Sequence, residues 1–309
     1  MVLPLKNHSR RRCKKMKLCS EDVELFYKLY HPLLIYVNKR YNIASGVNSL
    51  DDFRDLEEIV EVRDKLYEHP ELIDSFVREN PHNFSRDELE IIRGWKNFVK
   101  GDLIVFRYLK KYTIFLDPGE PPKAYGVLAL KSPLEEVLGP FLPIMTQAVL
   151  LPFKGKIVYD SLLRPYNVIF GSGIRRSFKE AYQEAKHRFG IITSLPFSAK
   201  EEEKSDAEKL KFYLRSESSR DQYWEEIEEL INKDPSLLKL YYQEMGKIQA
   251  RTIGKRLRKI GIRRGWFAIL EDEVITSGTA REEVERNVQT LVPEEKREFV
   301  YIFQLKERR

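Results

Sequence analysis

Apolar positions along this chain change their period twice. From Val23 to Val99 they recur at helical spacing. From Gly101 to Phe170 they alternate or run unbroken, and from Ile174 the helical spacing returns. The first region opens at Ser20, an N-cap residue followed by Glu21 and Asp22. Val23, Phe26, Tyr27, Tyr30, Leu34 and Val37 form its stripe, and Pro32 inside it predicts a kink or two short helices. A second helix is expected from Leu50 to Tyr67 and a short one from Glu71 to Val77. Ser85-Arg86-Asp87-Glu88 is a capping box, and Leu89, Ile92, Trp95 and Val99 carry its helix to Gly101.

After Gly101 the pattern predicts a hairpin, Asp102 to Leu109 with Tyr112 to Asp117, and a third strand from Ala124 to Leu130. Pro133 suits the first turn of a short helix. Phe141 to Phe153 is apolar with Pro143 and Pro152, and reads as a buried connection. Strands are expected at 156–160 and at Tyr166 to Phe170, the latter β-branched and aromatic. Gly171-Ser172-Gly173 then breaks the run, and Ile174, Phe178, Ala181, Tyr182, Ala185 and Phe189 form a helical stripe ending at Gly190. Strands followed by a helix, rather than repeated βαβ units, predict an α+β class and argue against a doubly wound sheet.

Beyond Ser198 the chain is rich in Lys, Glu and Ser, as a linker or exposed helix would be. Gln222 to Asn232 reads as an acidic helix, and Asp234-Pro235 starts another from Ser236 to Ile260. Gly265 to Leu305 reads as ββαβ, with Thr279 capping its helix. The expected organisation is a basic arm (1–19), a helical N-terminal region (20–100), a central mixed α+β domain (101–197), a charged helical connector with a basic helix (198–262) and a small C-terminal ββαβ domain (263–309).

Charge changes the picture more than overall composition does. The net charge is +6, yet Met1 to Cys19 holds seven basic residues and no acid, and Met245 to Leu270 holds eight and no acid. The remainder is therefore acidic. Two basic blocks on an acidic body point to a polyanion, nucleic acid before membrane. The candidate phosphate contacts are Arg10, Arg11, Arg12, Lys14, Lys15 and Lys17 in the arm, then Lys247, Arg251, Lys255, Arg258, Lys259, Arg263 and Arg264. Lys247, Arg251, Lys255 and Arg258 fall within an arc of about 80° on an ideal helix. Each block also reads simply as a solvated tail or face.

Gly171-Ser172-Gly173 admits two readings. It is a tight turn allowing close helix–sheet packing, or an anion loop whose free N–H groups meet a phosphate, with Arg175 and Arg176 in the next turn. It lacks the spacing of a Walker loop or a dinucleotide fingerprint. Asp160, at the end of an apolar strand, reads as a cap for the following turn or as a Mg²⁺ ligand. The histidines at 8, 31, 69, 82 and 187 have no metal-ligand spacing, and Cys13 and Cys19 read as free thiols of a reducing cytoplasm. No cofactor is expected, and no apolar run has the length of a membrane span.

High Lys, Arg and Glu usage with only two Cys has a thermophile's character. The chain resembles uncharacterised proteins of hyperthermophilic archaea and is similar to ribosome dimerisation or hibernation factors. GWFAILEDEVITSG and REEVERNVQTL, near the C-terminus, resemble a small uncharacterised ββαβ domain. The resemblance implies a cytoplasmic homodimer that binds rRNA and ribosomal proteins of the small subunit and silences translation. The expectation is thus a non-enzymatic RNA-binding protein. The alternatives are a Mg²⁺-dependent nucleotide- or nucleic-acid-processing enzyme using the glycine loop and Asp160, and a DNA-binding protein.

Overall fold

Helix α1 (Ser20–Tyr41) runs unbroken through Pro32. A mid-helix proline costs about 3 kcal/mol, but α1 is nearly surrounded by protein. Phe26, Leu29, Tyr30, Leu33, Leu34 and Val37 are all buried, and their burial outweighs the lost hydrogen bond. The computed structural model describes residues 16–198 and 204–307, in two units that part between Glu202 and Glu203. The class is α+β, as the pattern predicts.

In the first unit α1 is followed by α2 (Leu56–Glu68), α3 (Glu71–Glu79) and α4 (Arg86–Gly94). The Ser85–Glu88 capping box closes as expected, with each side chain meeting the other's backbone N–H. Strands β1 (Val99–Tyr108), β2 (Thr113–Asp117) and β3 (Lys123–Leu128) come next, then the short helix α5 (Leu134–Leu138), β4 (Ile144–Phe153), β5 (Lys156–Pro165) and α6 (Ser172–Phe189). The strands close into a barrel in the order β1-β2-β3-β5-β4, with β1 also paired to β4 and a parallel contact between β3 and β5. Every pairing around the closed barrel is antiparallel except that of β3 with β5.

Alternation along the strands serves two cores. Leu103, Val105, Phe115 and Val127 share one core with the N-terminal helices, where Phe26 lies edge-on to both Trp95 and Phe153. Ile104, Ile114, Leu116 and Ala124 point the other way and lie under Phe170, Tyr182 and Ala185. Helix α6 therefore covers the outside of β2 and β3. Residues 20–100 and 101–197, expected as separate segments, share one core.

Two strand expectations change. Phe141 to Phe153 is no mere connection, since Ile144–Phe153 is the strand that closes the barrel. Tyr166 to Phe170 is not a strand. β5 continues to Pro165, and Tyr166 donates one backbone bond to Met145 before the chain leaves the sheet. Its composition suits a strand, but both edges of β4 are already occupied by β1 and β5.

The second unit contains α7 (Asp206–Tyr213), α8 (Glu217–Gln222), α9 (Trp224–Lys233), α10 (Ser236–Lys259), β6 (Gly265–Leu270), β7 (Glu273–Gly278), α11 (Arg281–Leu291) and β8 (Tyr301–Leu305). The sheet is antiparallel with β6 central, in the order β7-β6-β8. Ala268 and Ile302 pack with Val284 and Val288 of α11. On the opposite face Phe267 stacks on Phe303, and Tyr301 and Leu305 meet α10. The N-terminal half of α10 packs through Leu237, Tyr241 and Met245 on Leu210, Leu214 and Ile227. Thr279 does not cap α11. The N-cap is Ala280, and the Glu283 carboxylate folds back to accept from the amide and hydroxyl of Thr279.

Candidate nucleic-acid interface

The C-terminal half of α10 is fixed by small residues. A Cβ on Gly246 would lie 2.3 Å from Tyr301 Cβ, so only glycine permits this helix–strand approach. Gly254, two turns on, also faces β8 but less tightly: a Cβ there would meet the Leu305 Cδ1 tip at 3.3 Å. With Gly246, Ile253 and Gly254 buried against the sheet, the helical period turns Arg251, Lys255, Arg256 and Lys259 outward. All four are exposed, and none has an ion-pair partner among the described residues. Arg251, Lys255 and Lys259 follow one another at i, i+4, i+8, so they form one row along the helix.

This differs from the expected arc at both ends. Lys247 pairs with Glu244 at 2.6 Å, an acid just outside the acid-free block. Arg258 turns back to the sheet, donating to the carbonyl oxygens of Gly254 and Lys306. Arg263 lies 3.5 Å from Glu307, and Arg264 is exposed beside a cleft at the end of the sheet. Arg256 was outside the expected set. A projection at 100° per residue orders side chains around the axis but does not say which arc the sheet takes. The Gly246–Gly254 spacing was the signal that could have placed the buried face.

In the first unit, Gly171 is the N-cap of α6, and Ser172 and Gly173 are exposed in its first turn. Neither glycine is crowded: a Cβ on Gly171 or Gly173 would meet nothing within 4 Å. Arg175 is taken by the fold. Its Nε donates to Phe170 O at 3.0 Å and its Nη1 to Leu142 O at 3.4 Å, tying two loops together. Arg176 is exposed. Lys17 is also engaged: it bridges Ala129 of the barrel, and its Nζ donates to Lys131 O at 2.7 Å. Arg10, Arg11, Arg12, Lys14 and Lys15 lie outside the described residues.

Asp160 is buried in the middle of β5, which continues to Pro165 with no turn for it to cap, and its Oδ1 accepts from the amide of Leu162 at 3.1 Å within the strand. Its other oxygen faces Arg63 Nη1 at 3.7 Å across the helix–barrel core. Burial pushes the Asp160 carboxyl up to about 7, while Arg63 and the Leu162 amide pull it down. The hydroxyls of Tyr30 and Tyr67 lie 3.1 Å apart in the same core, and burial raises both well above the usual phenol range. Arg63 was not anticipated, because its helical position next to Asp64 reads as solvated. Among the described residues no group of three or more His, Cys, Asp and Glu side chains has metal-binding geometry, and no helix is long and apolar enough to cross a membrane.

No protein-family model matches the chain, no curated protein is similar to it in sequence, and no solved structure matches it.

Proposed function

We propose that this chain is an RNA-binding protein without catalytic activity, and that the outward row of α10 holds phosphates. One observation carries the reading: Arg251, Lys255, Arg256 and Lys259 are unpaired and exposed on a helix locked to its sheet by glycine. Four cations held together without acids repel one another, and a polyanion relieves that repulsion. Arg264 and the arm residues of 1–15 extend the same chemistry. Structured rRNA of the small ribosomal subunit is the target implied by the resemblance to ribosome hibernation factors. The buried pairing of Asp160 with Arg63 weighs against the Mg²⁺-enzyme reading, since the guanidinium stands where a cation would be held.

The test is filter binding of the full chain to small-subunit rRNA across a salt series. Affinity should fall steeply with salt, and replacing Arg251, Lys255 and Lys259 by Ala should flatten the log–log slope by about three. An unchanged slope, or equal binding to duplex DNA of the same length, would sink the RNA reading. Co-sedimentation with small subunits in a sucrose gradient checks the ribosomal target separately.

A further inference from the structure

The sheet of the second unit ends in a cleft that the basic helix does not explain. Its volume is about 470 Å³, in the range of small-molecule sites. Trp266 lies directly opposite Gln304 on β8 and Gly278 on β7, so these three positions form one row across the sheet, on one face. Gln304 is exposed and Trp266 half-buried. Gly278 has no side chain to add to this row. The Glu283 carboxylate lies where one would be, 2.6 Å from an ideal Cβ, and is spent on Thr279. Arg281 rests over the Trp266 ring at 5.8 Å. Arg264, Thr279 and Lys306 complete the polar wall with Glu307, whose charge Arg263 offsets at 3.5 Å.

Each part of this set points to a class of ligand. An apolar small molecule has no use for the three charged residues, Arg264, Lys306 and Glu307, in this wall. A lone phosphate needs the cations but not the indole or the amide. Trp266 with its overlying guanidinium offers a stacking surface, because bases stack on aromatic rings and on Arg planes alike. The Gln304 amide has both a donor and an acceptor for a base edge. Arg264 and Lys306 flank it with positive charge for the adjoining phosphates. A paired base offers neither its face nor its Watson–Crick edge to a protein, so the occupant is unpaired.

We propose that this cleft receives one unpaired nucleobase of the bound RNA. The inference rests on the RNA-binding reading above and deepens it: α10 grips the backbone and the cleft requires a single-stranded or bulged nucleotide.

The experiment uses the full chain carrying Trp224→Phe, which removes the exposed indole of α9; Trp95 is buried. The probes are a mixed-sequence single-stranded RNA and the same strand annealed to its complement. The single strand should quench the remaining fluorescence and the duplex should not. Gln304→Leu, at an exposed position, should weaken single-strand binding about ten-fold and leave duplex binding and the melting temperature unchanged. Lys306→Ala keeps the backbone oxygen that Arg258 uses and should act in the same direction. Equal affinity for both RNAs, with no quenching and no effect of Gln304→Leu, overturns the cleft while leaving the α10 reading intact. If neither RNA binds and the α10 alanine variant changes nothing, both fall.

Discussion

Arg63 of α2 and Asp160 of β5 face each other at 3.7 Å, both wholly buried, without a direct hydrogen bond between them. Arg63 Nη2 instead donates to Asp64 at 3.1 Å and to Gln147 at 3.4 Å. The contact joins the helical layer to the barrel, and its cost is desolvation of the guanidinium and, once Asp160 ionises, of the carboxylate as well.

The Asp160 carboxyl makes stability depend on pH. Folded, it keeps its proton up to about 7, and unfolded it releases it near 3.8. Its contribution is therefore complete below about 3.8, declines as pH rises, and is lost above about 7. The decline should be on the order of a few kcal/mol. Urea unfolding at a series of pH values should show it, and Asp160→Asn should flatten that window. A wild-type curve that rises through the window, with Asp160→Asn unchanged, would refute the assignment.

Removing one partner should cost more than removing both. Arg63→Ala leaves a buried carboxyl with less compensation and should destabilise by roughly 3–5 kcal/mol. Arg63→Met combined with Asp160→Leu should cost far less than the sum of the single changes. A double-mutant cycle read by chemical denaturation decides it, and simple additivity counts against coupling.

Gly246→Ala should destabilise the second unit by about 1–3 kcal/mol or more, because the added methyl meets the Cβ of Tyr301 rather than a mobile tip. Thermal unfolding followed by near-ultraviolet dichroism would register this. Gly171→Ala, with open space around its Cα and extended backbone, is the contrasting change and should be nearly neutral.

Arg175→Ala should free the 166–171 segment without unfolding the barrel. Two side chain-to-backbone bonds are lost, each worth about 1 kcal/mol. Amide exchange should quicken at Val168 to Ile174 and remain slow in β1 and β4. Uniform acceleration across the barrel would show that the residue has a wider role.

Helix positions were legible in the sequence wherever a local signal sets them. Ser85 and Glu88 form their capping box, and the stripe from Phe178 to Ala185 is the buried face of α6. What the chain does at Pro32, at Phe141–Phe153 and at Tyr166–Phe170 depends on partners distant in sequence. A local rule breaks helices at proline, yet the core around Leu29 and Leu33 outweighs it. Strand propensity at Tyr166–Phe170 finds no free sheet edge. The candidate interface was half legible. The acid-free block falls mostly on α10, but the sheet selects which of its cations face outward, turning Arg258 in and Arg256 out. Arg63 is invisible locally, since only the closed barrel brings β5 to it.

The glycines at 246 and 254 have a consequence for recognition. They act as two notches that stop α10 from sliding or rolling on the sheet, so Arg251, Lys255 and Lys259 keep a spacing of roughly 6 Å along the axis. Such a helix is a ruler: its pitch sets the interval at which the cations stand.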